Sequence, residues 1–174
     1  FVNTNNSLHE DQYGFRKQRS CEHALVAAKQ KILHSLDKKQ IALLLLIDFS
    51  KAFDMVDHQI LLKKLYHYGI RGTGLKWLES YLSNRQQFVH VNNTSSKTRS
   101  LKFGVPQGSI LGPLLFVIYI NDMPKVYKWA KFILYADDAN IIITAKNIYE
   151  IEEHFKTLSR ELHSWVNSNG LLLN

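Results

Sequence analysis

The amino-acid sequence predicts a single domain that mixes helices with strands. Apolar runs of strand length alternate along the chain with stretches in which apolar residues recur every three or four positions. The breaks between them are short Gly, Asn or Ser turns, with no Pro-rich linker, internal repeat or low-complexity tract. With 174 residues and 45% hydrophobic content, the chain can bury one sizeable core but not a second complete one.

The elements follow in order. After a turn-like stretch over residues 11–19, Ser20 is placed to cap a helix carrying Ala24, Leu25, Ala28, Ile32 and Leu36, ending near Asp37. Ile41–Ile47 is apolar without alternation, which predicts a strand covered on both faces that delivers Asp48 at its end. Asp57 is suited to cap a helix carrying Ile60, Leu61, Leu65 and Tyr68 and closed by Gly69. Thr73 is suited to cap the next, through Leu82, and both helices are expected to pack on the sheet. Residues 86–91 and 99–105 alternate around the polar loop 92–97 and predict a hairpin. Residues 111–121 read as a helix apolar all round, with Leu114, Leu115 and Val117 as core. Residues 132–135 and 139–145 are β-prone and separated only by Asp137, Asp138 and their neighbours, which predicts a tight hairpin. From Asn147, the spacing of Ile148, Ile151, Phe155, Leu158, Leu162 and Trp165 predicts a long amphipathic helix over the sheet, stopped by Gly170. Trp77 and Trp165 both fall at core spacing.

Composition narrows the function classes. A net charge of +7 suits a polyanionic partner such as nucleic acid, a bias shared with ribosome-associated and membrane-surface proteins. Cys21 stands alone, so there is no internal disulfide and no cysteine-rich zinc site, which points to a reducing compartment, nucleus or cytoplasm. The eight histidines show no metal-ligand spacing. No apolar run is long enough to span a bilayer, so no membrane partner is expected.

The chemistry concentrates in carboxylates. Asp48 ends a strand and Asp137 and Asp138 sit in a hairpin turn, so residues far apart in sequence are positioned to converge. Clustered carboxylates repel unless a cation holds them, and hard oxygen donors suit Mg²⁺. The plainer alternative is a strand-end cap and two ordinary turn residues.

Four blocks in order decide the matter: QYGFRKQRS at 12–20, IDFSKAFDMVDH at 47–58, GVPQGSILGPLLF at 104–116 and YADD at 135–138. Together they resemble the reverse transcriptases, most closely those of non-long-terminal-repeat retrotransposons, over residues 12–174. The resemblance implies an α+β fold, a right-hand polymerase palm with partial fingers, its antiparallel sheet backed by helices. It also implies an RNA-directed DNA polymerase working on an RNA template, a DNA primer and dNTPs with two Mg²⁺ ions, for which Mn²⁺ is a substitute. Asp48, Asp137 and Asp138 then match the catalytic metal ligands, with the Phe49 backbone carbonyl as a further ligand. Phe53 matches the aromatic gate that rejects a 2′ hydroxyl, against the alternative of an ordinary core Phe. Gln107 and Gly108 fall at the incoming nucleotide, against the alternative of a generic turn, and Tyr135 is expected to pack beneath the site. Arg16 and Arg19 fall where template phosphates are held, with a solvated basic loop as the alternative. Lys63, Lys64, Lys76, Arg85 and the basic stretch 97–102 receive no role.

The resemblance also sets expectations for what flanks residues 1–174. Related enzymes carry further fingers sequence before the position of Phe1, a lysine-bearing block and thumb after WVNSNGLLLN at 165–174, and in some cases an endonuclease, none of which is in this sequence. The alternatives are an inactive or co-opted fragment that only binds nucleic acid, and a group II intron maturase, to which the block wording fits less well. Oligomeric state stays open.

Overall fold

A computed structural model describes residues 7–174; of the domain expected over 1–174, residues 1–6, including Phe1, lie outside the description. The helix α1 (Cys21–Asp37) starts as predicted at Ser20, whose side chain accepts from the His23 N–H. β1 (Ile41–Ile47) follows, then a short 3-10 turn at Ala52–Asp54. α2 (His58–His67) is capped by Asp57, which accepts from the Gln59 and Ile60 N–H groups, and Gly69 closes it at φ 91°. α3 (Gly72–Leu82) starts after Arg71 without a side-chain cap, so Thr73 lies inside its first turn rather than at the cap.

The next segment pairs as a hairpin, but in two short pieces. β2 (Gln86–Gln87) pairs with β5 (Arg99–Ser100), and β3 (His90–Val91) pairs with β4 (Thr94–Ser95) across Asn92 and Asn93, both at positive φ. Every residue from 86 to 100 is exposed. With no core face to hold a ladder straight, the predicted continuous strands break at 88–89 and 96–98. Residues 101–105 leave the hairpin and turn back toward 53–57, where Phe103 bridges Asp57.

α4 (Leu111–Ile120) runs through the centre of the main core, where Leu115 to Ile120 are all buried. A short turn at Met123–Val126 leads into β6 (Ala130–Tyr135), which pairs with β7 (Asp138–Ala145). The sheet has the order β1-β7-β6 and is antiparallel throughout. Its β6 edge is extended by residues 11–13: Tyr13 N–H donates to Leu134 O at 2.7 Å and Leu134 N–H to Asp11 O at 2.8 Å. α5 (Ile148–Ser168), capped by Asn147, lies on β7 through Ile151, Leu158, Leu162 and Val166. On the other face, α1 closes a small second core of Tyr13, Ala24, Ile133 and Ile142.

Four expectations need correction. β1 is an edge strand: Leu43, Leu45 and Ile47 pack on the core while Leu46 is 73% exposed, because α1 stands off and leaves an apolar groove at Leu25, Leu44 and Leu46. α2 and α3 pack on each other, and α2 on α4, rather than chiefly on the sheet. Trp77 is 57% exposed and stacks on Tyr81, since the outer face of α3 has no element above it. Ile148 and Phe155 fall at the rim of the α5 stripe, which is narrower than the spacing suggested, and stay exposed.

Candidate active site

The sheet register brings the acidic residues to one end. Ile47 is paired with Ala139, so the next residue along each strand, Asp48 and Asp138, leaves the ladder at the same level. Tyr135 and Asp138 close the β6-β7 hairpin, with Ala136 and Asp137 as its two-residue turn. Ala136 adopts φ 56°, the sign such a turn needs and one that an L-residue adopts at a cost of about 1–2 kcal/mol. Backbone contact supports it: Gly14 lies so close that a Cβ there would come 2.3 Å from the Ala136 nitrogen.

Asp48 and Asp138 line one cavity and Asp137 lines another, so the turn divides its acids between two separate spaces. Burial, then the charges of Asp137 and Asp48, push the Asp138 carboxyl above the ordinary aspartate range. Among the described residues, no Lys, Arg or His forms an ion pair with any of the three. Among the described residues, no three or more His, Cys, Asp or Glu, these three included, stand close enough together to hold one metal ion between them. By donor type the set still suits a hard divalent cation: three carboxylates, none of them ion-paired, of which Asp48 accepts one hydrogen bond from a neutral amide.

Asp48 is held from the chain's last segment. Ser50 N–H donates to Leu172 O, Asn174 N–H donates to Asp48 O, and Asn174 Nδ2 donates to Asp48 Oδ2, each at 2.9 Å. Phe49, between them, is buried and bridges Leu173.

The Asp137 cavity, about 280 Å³, is lined by Phe49, Lys51, Phe53, Gln107 and Gly108 as well. The Phe53 ring stacks on core Phe116 with centroids 4.6 Å apart, and the residue is among those lining the cavity. The 104–108 segment is fastened to the 53–58 turn. Gly104 N–H donates to Val56 O at 2.8 Å, Val105 N–H to Phe53 O at 2.9 Å, and His58 Nε2–H to Gly104 O at 2.7 Å. Gln107 Nε2 donates to Asp54 Oδ1 at 2.8 Å, which fixes the amide at the cavity mouth. Gly104 sits at φ 90°, and a Cβ on it would press on the Asp54 backbone at 3.1 Å.

Other expected residues fall elsewhere. Tyr135 lies beside the acids and not beneath them, because strand alternation sends Leu134 into the core and Tyr135 to the α1 side, where it borders the Asp48 cavity. Arg16 donates to His9 O at 2.8 Å, and Arg19 donates to Glu10 O at 2.9 Å over the Tyr13 ring. Both guanidinium groups are thus turned onto their own loop, and neither lines the acidic cavities. Lys51, Asp54, His58 and Asn174 went unread in the sequence; the first three lie inside the block at 47–58, which was their only signal.

This combination, an antiparallel sheet with acids at a strand end and a hairpin turn beside an open cavity, is that of a polymerase palm. The chain belongs to the reverse transcriptase family: the family model described as Reverse transcriptase (RNA-dependent DNA polymerase) matches residues 2–174. It is 34% identical to the probable RNA-directed DNA polymerase from transposon BS of Drosophila melanogaster over 91% of its length, covering 19% of that protein. It is 28% identical to that from transposon X-element of the same organism, over 90% of the chain and 18% of the relative. The chain therefore spans about a fifth of the length of these relatives. Among solved structures, apo telomerase from Candida tropicalis superposes with a TM-score of 0.72 at 13% identity, over 99% of this chain and 36% of that one. The fold is accordingly the α+β right-hand polymerase fold, and the retrotransposon resemblance holds. Reverse transcriptases use divalent metal ions and bind RNA. Among the described residues, no helix is long and apolar enough to cross a membrane.

Proposed function

We propose that residues 1–174 are the palm and part of the fingers of an RNA-directed DNA polymerase that extends a DNA primer on an RNA template, in nucleus or cytoplasm. The observation that carries this reading is the meeting of Asp48 with the Asp137–Asp138 turn at one end of the sheet, next to the Phe53–Gln107 cavity.

Asp48, Asp137 and Asp138, with the Phe49 carbonyl, would hold two Mg²⁺ ions, with Mn²⁺ as a substitute. Bound there, such ions supply the Lewis acidity that makes the primer 3′ hydroxyl a better nucleophile and steadies the departing pyrophosphate. The 3′ oxygen attacks the dNTP α-phosphorus, forming one P–O bond as the bond to pyrophosphate breaks. Phe53, braced on Phe116, lies under the sugar and leaves no room for a 2′ hydroxyl. Gln107, held by Asp54, presents an oriented amide to the nucleotide, and Gly108 lets the backbone approach. Arg16 and Arg19 hold template phosphates once they are released from their loop carbonyls.

The test is primer extension on an RNA template by the full-length protein and its Asp137→Asn variant. The variant is expected to lose several kcal/mol of transition-state stabilisation, on the order of 10³-fold in rate, while keeping its grip on primer and template. Unchanged extension by the variant would remove the ligand assignment.

A further inference from the structure

The segment between α3 and the 104–108 turn has no role in the site described above, yet its charge is all of one sign. Residues 84–102 contain Arg85, Lys97, Arg99 and Lys102 and no Asp or Glu. Among the described residues, none of these four cations forms an ion pair with a carboxylate. The ribbon also exposes Phe88, Val89 and Val91, and Phe103 beyond it is exposed as well. A two-stranded ribbon with no core of its own gains little stability from such side chains. Unpaired cations interleaved with an exposed aromatic ring suit a polyanion that also offers flat apolar faces.

The ribbon is joined to the nucleotide cavity. That cavity shares Lys51 and Gln107 with a larger one of about 600 Å³, which reaches Arg85, Gln86 and Gln87. The larger cavity shares Gln87 with a third of about 400 Å³, lined by Phe88, Lys97 and Arg99. Shared lining residues set the three in a row from Asp137 to the ribbon, a track with Lys51, Arg85, Lys97 and Arg99 along it and Asp54 in its middle part.

We propose that this track and the ribbon bind the unpaired RNA template ahead of the site. Arg85, Lys97, Arg99 and Lys102 hold its phosphates, and Phe88 stacks on a base. The inference rests on the polymerase reading for the direction of the strand, and on the ribbon's own charge and shape for the binding. A string of cavities admits a single strand with its bases turned out, whereas a duplex keeps its bases stacked inside. The geometry therefore selects the unpaired template over the primer–template duplex.

The test uses the full-length protein and a Lys97→Gln, Arg99→Gln, Lys102→Gln variant; all three side chains are exposed, and a thermal melt checks folding. Affinity is read by fluorescence anisotropy across a salt series, with DNA-primed RNA templates carrying either a long unpaired 5′ overhang or a single-nucleotide one. The variant is expected to bind the long-overhang substrate on the order of tenfold more weakly. Its salt slope should be smaller by about 2, at roughly 0.7 for each lost single-strand phosphate contact. Binding of the single-nucleotide overhang should not change. Equal weakening on both substrates would assign the ribbon to the duplex, and no weakening on either would assign it to a protein partner; each overturns the proposal. If the unmodified protein incorporates no nucleotide yet shows the overhang-dependent difference, the polymerase reading falls and the ribbon's binding role stands.

Discussion

Asn174 holds Asp48 at two points, its backbone N–H on the Asp48 carbonyl and its Nδ2 on Oδ2, both at 2.9 Å. The side-chain bond occupies one carboxylate oxygen and fixes the rotation of the group, and with it the direction of Oδ1. A ligand oriented in this way from outside the metal's own shell binds its ion more tightly than a free-turning one.

Replacing Asn174 by Ala in the full-length protein is therefore expected to raise the Mg²⁺ concentration for half-maximal extension about 10–100-fold. Affinity for primer and template should not change. A Mg²⁺ titration of extension rate reads this directly, and a uniform fall in rate with the same half-saturation point would show that Asn174 serves the fold and not the carboxylate.

The contact between Gly14 and the acidic turn gives a stability prediction. A methyl group at Gly14 would lie 2.3 Å from Ala136 N and 3.0 Å from Tyr135 C, and both are backbone atoms that cannot swing aside. Gly14→Ala is expected to cost about 1–3 kcal/mol through this overpacking and to displace the turn that carries Asp137. Gly74→Ala is the control, because inside α3 its new methyl meets only Ile70 at 3.8 Å. It should gain up to about 1 kcal/mol of helix propensity. Urea melts of the two variants should move in opposite directions.

These particular residues also show how far the sequence could be read. Caps at Ser20 and Asp57 were legible because each acts on N–H groups two or three residues away. The acidic turn was legible because a hairpin loop is local. β1 misled because an apolar run records only what its own residues prefer, and not whether a helix comes down on the second face. Trp77 misled for the same reason: helical spacing gives its direction on α3 but not what lies there. Asn174 and residues 11–13 were illegible as site and sheet partners because they meet Asp48 and Leu134 across more than a hundred residues of chain, and no periodicity encodes such a meeting.

Phe53 is braced by Phe116, ring centroids 4.6 Å apart, so in the gate role proposed for it the ring would have no room to retreat from a larger sugar. Phe53→Val opens that side of the cavity. The preference for dNTP over rNTP, measured as the ratio of kcat/KM values, is expected to fall about 10–100-fold with dNTP use largely kept. A fall in both values at an unchanged ratio would leave Phe53 as core packing alone.

Lys64 gives a prediction in which the sign of the pH dependence matters. Its Nζ donates to Tyr119 O and, at 2.7 Å, to Asp122 Oδ1, and lies 5.0 Å from the Tyr119 ring and 5.2 Å from the Trp165 ring. Burial lowers the Lys64 pKa, and the hydrogen bond and charge of Asp122 only partly oppose this. The unfolded chain therefore holds this proton to higher pH than the folded one does. Stability from this group rises with pH across the window between the lowered folded value and lysine's ordinary value. Lys64→Met removes both the charge and its desolvation, so it should change stability at about pH 7 by less than about 1 kcal/mol and remove that rise. Asp122→Ala instead leaves Lys64 buried without its counter-charge. It should cost about 2–3 kcal/mol at about pH 7, and its deficit should shrink at about pH 10 as the lysine gives up its proton. Urea melts at both pH values decide the point: an Asp122→Ala protein no less stable than Lys64→Met, or a deficit that grows with pH, would mean that the pair is solvated and not buried.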